Sequence, residues 1–319
     1  VEEAVSTAGP TLCRTPSRAT PPPQIPDALR ALWRSCTTDV DDANVARSLA
    51  INFVGVASVA EEADLRAAVD RLQRRTPCRA FLLLLDDATR AVTAEVSATT
   101  RRSGGTHDIV LEEITIRMPT AALEQMPGLV RPLLVNDLPN HLFWGTAWPR
   151  SERHFDDLAA LCEHVVVDTR RFASPAVEID HVDARKQDGL RITDLCWLRL
   201  RPWRRALAEA FERFEFAPGN ATSVQIEHGD RALAAAMRLG QWLETRLGAK
   251  VTLDGSGAAD RACPDRVLLR CSDNEIDLQA PANHIAVHVT TAAHCCLPFK
   301  VPTSRGTDGD LLAAAIDIA

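Results

Sequence analysis

The sequence predicts an α/β protein: an N-terminal mixed, mainly parallel sheet with flanking helices, followed by a smaller α+β domain of antiparallel strands packed on a long helix. Three observations carry this reading. First, SLAINFVGVA (48–57) and CRAFLLLLDD (78–87) are short apolar runs, separated by EEADLRAAVDRLQRR (61–75) with Leu65, Ala68, Val69 and Leu72 at helical spacing. Strand, helix and strand in that order make a βαβ unit, whose two strands lie parallel. Second, AVTAEVSATT (91–100) and IVLEEITIRM (109–118) alternate on either side of the turn RRSGGTHD, as an antiparallel hairpin would. Third, DRALAAAMRLGQWLETRLG (230–248) places Ala232, Ala235, Leu239, Trp242, Leu243 and Leu247 on one stripe, and the strand-like runs KVTLD, RVLLRCS, EIDLQA and HIAVHVTTA follow it.

The elements follow in order. Residues 1–26, with PSRATPPPQIP and almost no apolar periodicity, are expected to form a disordered N-terminal tail. Residues 27–190 form the α/β domain and 191–319 the α+β C-terminal domain. One or two short helices are expected over 27–48, with Asp27 after Pro26 as an N-cap. The helix over 61–75 begins with acids and ends with arginines, which suits its dipole. TAALEQMPGLVRPLL (120–134) reads as a helix interrupted at Pro127, and NHLFWGTAW (140–148) as a strand and turn. SERHFDDLAALCEH (151–164) reads as a helix capped by Ser151, VVVD (165–168) as a very short strand, and 175–188 as a further helix. PGN (218–220) is a turn and TSVQIEHG (222–229) a strand. Asp230 is the expected cap of the long helix and Gly248 its exit.

Composition narrows the function. The chain has 319 residues, 46% hydrophobic and 25% charged, with a net charge of −7. An acidic chain lacks the basic surface that nucleic acids require, so no nucleic-acid partner is expected. No apolar run approaches the roughly 18–20 residues that span a bilayer, so no membrane partner is expected either. The nine cysteines are odd in number and contain no Cys-x-x-Cys pair, which suits a reducing cytoplasm. Of the 36 basic residues 33 are Arg, so surface cations are mostly planar forks suited to carboxylates and aromatic faces.

The usual signatures of catalysis fail in turn. DGSGAAD (254–260) lacks both the third glycine of a dinucleotide fingerprint and the Lys-Ser/Thr ending of a P-loop, and reads as a hairpin loop. INFVGVAS carries one glycine and no fingerprint. In HIAVHVTTAAHCC (284–296), a strand would set His284 and His288 about 13 Å apart at ~3.3 Å per residue, too far for one ion. His294, Cys295 and Cys296 could join only from a folded-back loop, and a vicinal Cys295–Cys296 disulfide would strain the backbone. Cys162 and His164 could form a nucleophile pair, but two residues apart on a helix they diverge. The adjacent carboxylates of LEE (111–113) and FDD (155–157) diverge in the same way. No catalytic, cofactor or metal site is expected.

One segment stands out: DLCWLRLRPWRRALAEAFERF (194–214). From Trp203 onward it is helical, with Trp203, Ala206, Leu207, Ala210, Phe211 and Phe214 forming an apolar stripe and Pro202 in the first turn. Trp203, Phe211 and Pro202 therefore read as packing. The preceding LCWLRLRP is open between two forms. A strand would put Trp197, Arg199 and Arg201 on its less buried face; a helical turn ending at Pro202 competes with it. Tryptophan beside arginine is the composition of an interface hot spot.

These residues resemble the signature of the OpcA family, the glucose-6-phosphate dehydrogenase assembly proteins, of the form D-L-A-W-x-R-L-T-P-W-R. Asp194, Leu195, Trp197, Arg199, Leu200, Pro202, Trp203 and Arg204 agree, while Cys196 and Arg201 depart. DLPNHLFWGTAWP (137–149) is similar to a second family motif through Asp137, Leu138, Pro139, Leu142 and Trp144. Asn52, Arg79 and VVVDT (165–169) match further ones. The similarity is ordered from about residue 46 to about residue 250.

The resemblance implies a non-catalytic accessory protein that binds glucose-6-phosphate dehydrogenase and promotes its active oligomer, an allosteric activator of the oxidative pentose phosphate pathway, with no cofactor of its own. It points to Trp197, Arg199, Arg201, Arg204 and Trp148 as partner contacts, supported by Pro202, Trp203 and Phe211. Replacing Arg199 and Arg204 together is expected to abolish activation with the fold intact. Two alternatives stay open: a sugar-phosphate-binding enzyme of unrecognised type, and a redox-responsive adaptor sensing through Cys196.

Overall fold

The computed structural model of the chain describes residues 11–38, 45–46, 49–102, 108–214, 218–258, 260–272, 274–281, 283–291, 298–303 and 306–317. The chain divides into two compact units. The first comprises Val1–Val167, Leu190–Ile192 and Thr307–Ala319, and the second Asp168–Gly189 and Thr193–Gly306. This division differs from the expected boundary after residue 190: Asp168–Gly189 belongs with the later half, and the last helix belongs with the first.

In chain order the elements are β1 (Thr11–Arg14), β2 (Arg18–Thr20), α1 (Ile25–Thr38), β3 (Val45–Ala46), β4 (Ile51–Ser58), α2 (Glu62–Arg75), β5 (Cys78–Leu85), β6 (Thr93–Arg102), β7 (Asp108–Met118), α3 (Met126–Val130), β8 (Asn140–Trp144), α4 (Glu152–Ala159) and β9 (His164–Val167). There follow α5 (Pro175–Gln187), β10 (Ile192–Asp194), α6 (Leu195–Arg199), α7 (Arg201–Arg213), β11 (Ala221–Glu227), α8 (Leu233–Leu247), β12 (Lys250–Asp254), β13 (Arg266–Cys271), β14 (Asn274–Gln279), β15 (His284–Thr291), β16 (Phe299–Pro302) and α9 (Asp308–Asp317).

The α/β class is as the sequence predicts. The first sheet runs β1-β6-β7-β5-β4-β8-β9-β10, with β2 also on β6 and β3 on β7. β4 pairs in parallel with β5 on one side and β8 on the other, β7 is parallel to β5, and β6 closes the hairpin on β7. β4 and β5 are buried along all but their last residue. Beyond Asn52 and Arg79 near their starts, their apolar runs are what strands covered on both faces require.

Four expectations for this unit change. Residues 11–26 are ordered: β1 and β2 pair with β6, and Ile25 is almost fully buried; residues 1–10 lie outside the described residues. The hairpin leaves one edge of β6 unpaired, and short polar segments cover it. Residues 120–134 form two 3-10 turns around α3, in which Pro127 sits in the first helical turn, so the proline starts a helix rather than breaking one. Ser151 precedes α4 without a side-chain cap bond.

The fourth change is α9, which the sequence reading did not separate out. Thr307 and Asp310 bond reciprocally at its start, and Arg71–Asp310 (2.9 Å) and Arg75–Asp317 (2.8 Å) tie it to α2. Gly309 faces α2 so closely that a Cβ there would lie 2.9 Å from both Ala68 Cα and Arg71 Cβ. Gly309→Ala is therefore expected to lower stability by about 1–3 kcal/mol despite alanine's better helix propensity, a loss that thermal unfolding would measure.

In the second unit the sheet runs β12-β11-β13-β14-β15-β16. The antiparallel meander holds for β13 to β16, but β12 is parallel to β11. DGSGA (254–258) therefore does not close a hairpin; it crosses the end of β11, and Ala259 lies outside the described residues. Gly257 donates its N–H to the His228 carbonyl (3.1 Å), and a Cβ there would fall 2.6 Å from the His228 carbonyl carbon, so only glycine fits. Two helices cover the sheet, α8 over β11 and β12, and α7 over β14 to β16. Trp203, Leu207, Leu239 and Leu243 meet Val224, Leu269, Ile276 and Val287 in its core. Gly248 ends α8 in the left-handed region at φ 66°, as expected, whereas Asp230 makes no side-chain cap bond.

Candidate functional site

The signature segment is helical, not extended. α6 spans Leu195–Arg199, and Asp194 caps it by accepting the Cys196 N–H (2.9 Å). The turn splits the predicted contact residues between two environments.

Arg199 turns inward. Its side chain is 8% exposed, and its two Nη atoms donate to the two carboxylate oxygens of Asp168 at 2.7 and 2.9 Å. Asp168, which directly follows β9, also meets Arg170 (3.2 Å) and Arg171 (3.7 Å). Next to it, Thr169 donates its hydroxyl to Asp194 (2.9 Å), which also accepts Arg238 Nε (3.2 Å); Arg238 Nη1 reaches Asp183 (2.5 Å). Burial pushes the Asp194 carboxyl up, Arg238 opposes that shift, and the Asp168 charge adds to it. The matched motifs VVVDT and D-L-x-W-x-R thus converge on one buried ionic network. Arg199, expected as an exposed contact, is a strut of that network, because a guanidinium beside a buried carboxylate gains more there than in water.

Trp197, Arg201 and Arg204 lie on the outer side. Arg201 is exposed and Trp197 half-buried. The Arg204 guanidinium stacks 3.7 Å from the Trp197 ring centroid and donates to the Trp197 carbonyl (3.3 Å). Trp242 meets Trp197 edge-on at 6.3 Å. Trp203 is buried, Phe211 packs partly buried against the same core, and Pro202 occupies the first turn of α7, so the packing roles hold.

The second predicted surface is also largely interior. Trp148 is 8% exposed, and its ring lies 4.5 Å from that of Phe155. It borders a cavity of about 450 Å³ at the C-terminal ends of β4, β5 and β8, with Leu123, Thr146, Arg150 and His154. The Glu61 carboxylate bonds to Ser58 N–H (3.0 Å) and hydroxyl (2.8 Å) at the end of β4. Other matched residues stitch backbone: Asn52 bonds Val135 on both its amide atoms and Asn140, while Arg79 pairs with Glu112 and the Leu133 carbonyl.

The reactive-group candidates are set in unreactive surroundings. Cys196 is fully buried, and burial together with the Asp194 and Asp168 charges raises its thiol well above the ordinary range. Burial pushes Cys162 up to about 12, while it lowers His164 to about 4, the opposite of an activated pair. Glu112 and Glu113 face opposite sides, Glu113 meeting Arg14 and Arg66. His284 and His288 lie on β15, His294, Cys295 and Cys296 lie outside the described residues, and no cluster of three potential metal ligands occurs among the described residues.

His141 and His164, opposed on β8 and β9, bring their Nδ1 atoms to 3.3 Å. One ring donates and the other accepts in that contact, so the two cannot both be doubly protonated, and burial, then the charges of His141 and Arg191, lower His164. Its folded pKa lies below its unfolded value, so the unfolded chain binds more protons between pH 6.5 and about 4, and stability falls as pH drops through that window. The expected loss is on the order of 1–2 kcal/mol, discounted from the full shift because real interiors relax and admit water. Urea unfolding of the native chain and His164→Asn between pH 7 and 5 would show the slope flattening in the variant.

Comparison with known proteins places these features. A model described as the glucose-6-phosphate dehydrogenase subunit N-terminal domain matches residues 69–184, and one for the C-terminal domain of that subunit matches 190–318. The chain is 31% identical over 185 residues to an OxPP cycle protein named OpcA from Nostoc punctiforme, covering 56% of this chain and 39% of that protein. A namesake from Synechococcus elongatus is 30% identical over 196 residues, covering 58% of this chain and 43% of the relative. The match thus spans about two fifths of the length of these relatives. Among solved structures the chain is similar to KijD10, a 3-ketoreductase from Actinomadura kijaniata, at 13% identity and a TM-score of 0.49 over 84% of this chain and 88% of that one; a likeness at that level carries no functional argument. No helix among the described residues is long and apolar enough to cross a membrane.

Proposed function

We infer, because this chain belongs to the OpcA family of glucose-6-phosphate dehydrogenase subunits, that it is a cytoplasmic, non-catalytic accessory subunit that binds glucose-6-phosphate dehydrogenase and favours its active oligomer. The observation that carries this reading is the pair of subunit-domain matches over residues 69–184 and 190–318. Hydride transfer then belongs to the dehydrogenase.

The action is a population shift. If the dehydrogenase samples less and more active assemblies and this chain binds the latter better, a coupling of ~1–3 kcal/mol changes apparent substrate affinity roughly 5- to 150-fold. The contact face comprises Arg201, Trp197 and Arg204, with Arg199 anchoring α6 to Asp168 beneath it. Stacked indole and guanidinium form a preorganised hot spot, because the stack fixes both side chains before the partner arrives.

Co-purification with the host's dehydrogenase, then kinetics with and without this chain, tests the reading. Arg201→Ala combined with Arg204→Ala is expected to cost at most about 1 kcal/mol of stability, since neither guanidinium holds a buried carboxylate. The same variant is expected to lose association. Turnover of a sugar phosphate by the chain alone, or full activation by the variant, contradicts the assignment.

A further inference from the structure

We propose that the second unit carries a binding site for a small phosphate monoester with a sugar-sized body, in the cavity where α5 and α6 meet α8. The cavity measures about 450 Å³. Its wall includes three cations, Lys186, Arg238 and Arg246, two indoles, Trp197 and Trp242, and the Thr245 hydroxyl; no carboxylate lines it.

The strongest observation is Arg238. It is 7% exposed, and its Nε and Nη1 are bound to Asp194 and Asp183. Its Nη2 is buried with no hydrogen-bond partner among the described residues. Buried guanidinium donors are seldom left unpaired, and this one belongs to a side chain that lines an open cavity. Lys186 adds a second signal. Its nearest carboxylate, Asp183, is 3.6 Å away and is shared with Arg238, and burial followed by Arg238 repulsion lowers its affinity for a proton. Three cations, Lys186, Arg238 and Arg246, thus border the cavity against the two carboxylates, Asp183 and Asp194, that Arg238 binds, and a bound anion would redress that balance.

Size and wall chemistry narrow the class. The volume exceeds what a bare phosphate fills and falls in the range of small-molecule pockets. Trp197 and Trp242, edge to face at 6.3 Å, give one apolar side against which a ring can pack. Thr245 donates its hydroxyl to the Gln241 carbonyl at 2.8 Å and keeps lone pairs for a ligand hydroxyl. The site needs no dehydrogenase, so it stands or falls separately from the subunit reading.

The test uses the full chain alone, in buffer free of phosphate and sulfate. It is titrated by calorimetry with a hexose phosphate, inorganic phosphate and the unphosphorylated hexose, and its melting is followed with each. The expected result is saturable one-site binding of the hexose phosphate, with a raised melting temperature and no binding of the neutral hexose. Lys186→Gln and Arg246→Gln, both at partly or fully exposed side chains, are expected to melt like the native chain without ligand and to weaken binding about tenfold or more, the scale of one charged hydrogen bond. No saturable binding at millimolar concentration, equal binding of the neutral hexose, or undiminished affinity in both variants overturns the proposal. Inorganic phosphate binding as tightly as the hexose phosphate overturns the sugar-sized body.

Discussion

Arg199→Ala is expected to lower the free energy of unfolding by about 3 kcal/mol, toward the lower end of the range for breaking a buried ion pair. Asp168 is 1% exposed and loses a two-pronged partner, but Arg170 at 3.2 Å remains to compensate in part. The loss would appear as a lower urea midpoint with an unchanged slope. This outcome corrects the expectation that Arg199 and Arg204 can be removed together with the fold intact. Loss of activation in that double variant would report unfolding as much as lost contact, so Arg201 and Arg204 are the residues to pair. A midpoint unchanged by Arg199→Ala would show that the Asp168 carboxylate does not depend on it.

Asp194→Ala is expected to cost more, about 4 kcal/mol. The carboxylate caps α6, accepts the Thr169 hydroxyl and neutralises Arg238, so its removal strands an N–H, a hydroxyl and a guanidinium at once. Asp194→Asn keeps an acceptor for the cap but not the charge opposite Arg238, and should fall between native and alanine. Thr169→Val removes one neutral hydrogen bond and should cost about 1 kcal/mol. The ordering alanine, asparagine, native in calorimetric melting is the check; an asparagine variant as stable as the native chain would show that the charge on Asp194 contributes nothing.

The parts of the fold legible in the sequence are those with sustained periodicity. β4, α2 and β5 follow from two apolar runs around an amphipathic stretch, and the β6–β7 hairpin from ten-residue alternation. α6 did not follow, because five residues are too few to separate a 3.6 period from a period of two, and LCWLRL satisfies either. The cap itself was the available signal: Asp194 immediately before an apolar turn, with Pro202 opening the next helix. The parallel placement of β12 was hidden because a glycine-rich loop reads the same whether it closes a hairpin or crosses a strand end.

The site was legible only in part. Trp197, Arg204 and Trp203 could be marked by type and spacing, but the role of Arg199 depends on Asp168, 31 residues earlier. No local pattern joins residues so far apart. Arg238 gave a hint, an arginine inside the apolar stretch LAAAMRLGQW, where a charge must find buried partners. Matched motif residues such as Asn52, Arg79 and Asp168 turn out to fasten loops and carboxylates to strands, so motif agreement marked architecture as readily as contact surface.

The return of α9 to the first unit has a consequence for how the chain is made. While residues 76–306 emerge from the ribosome, the flank of α2 that meets Gly309 waits uncovered, and the second unit has every residue it needs before the first does. The half translated first is therefore the half finished last, and a gene fragment stopping at residue 190 would encode a body missing its closing piece.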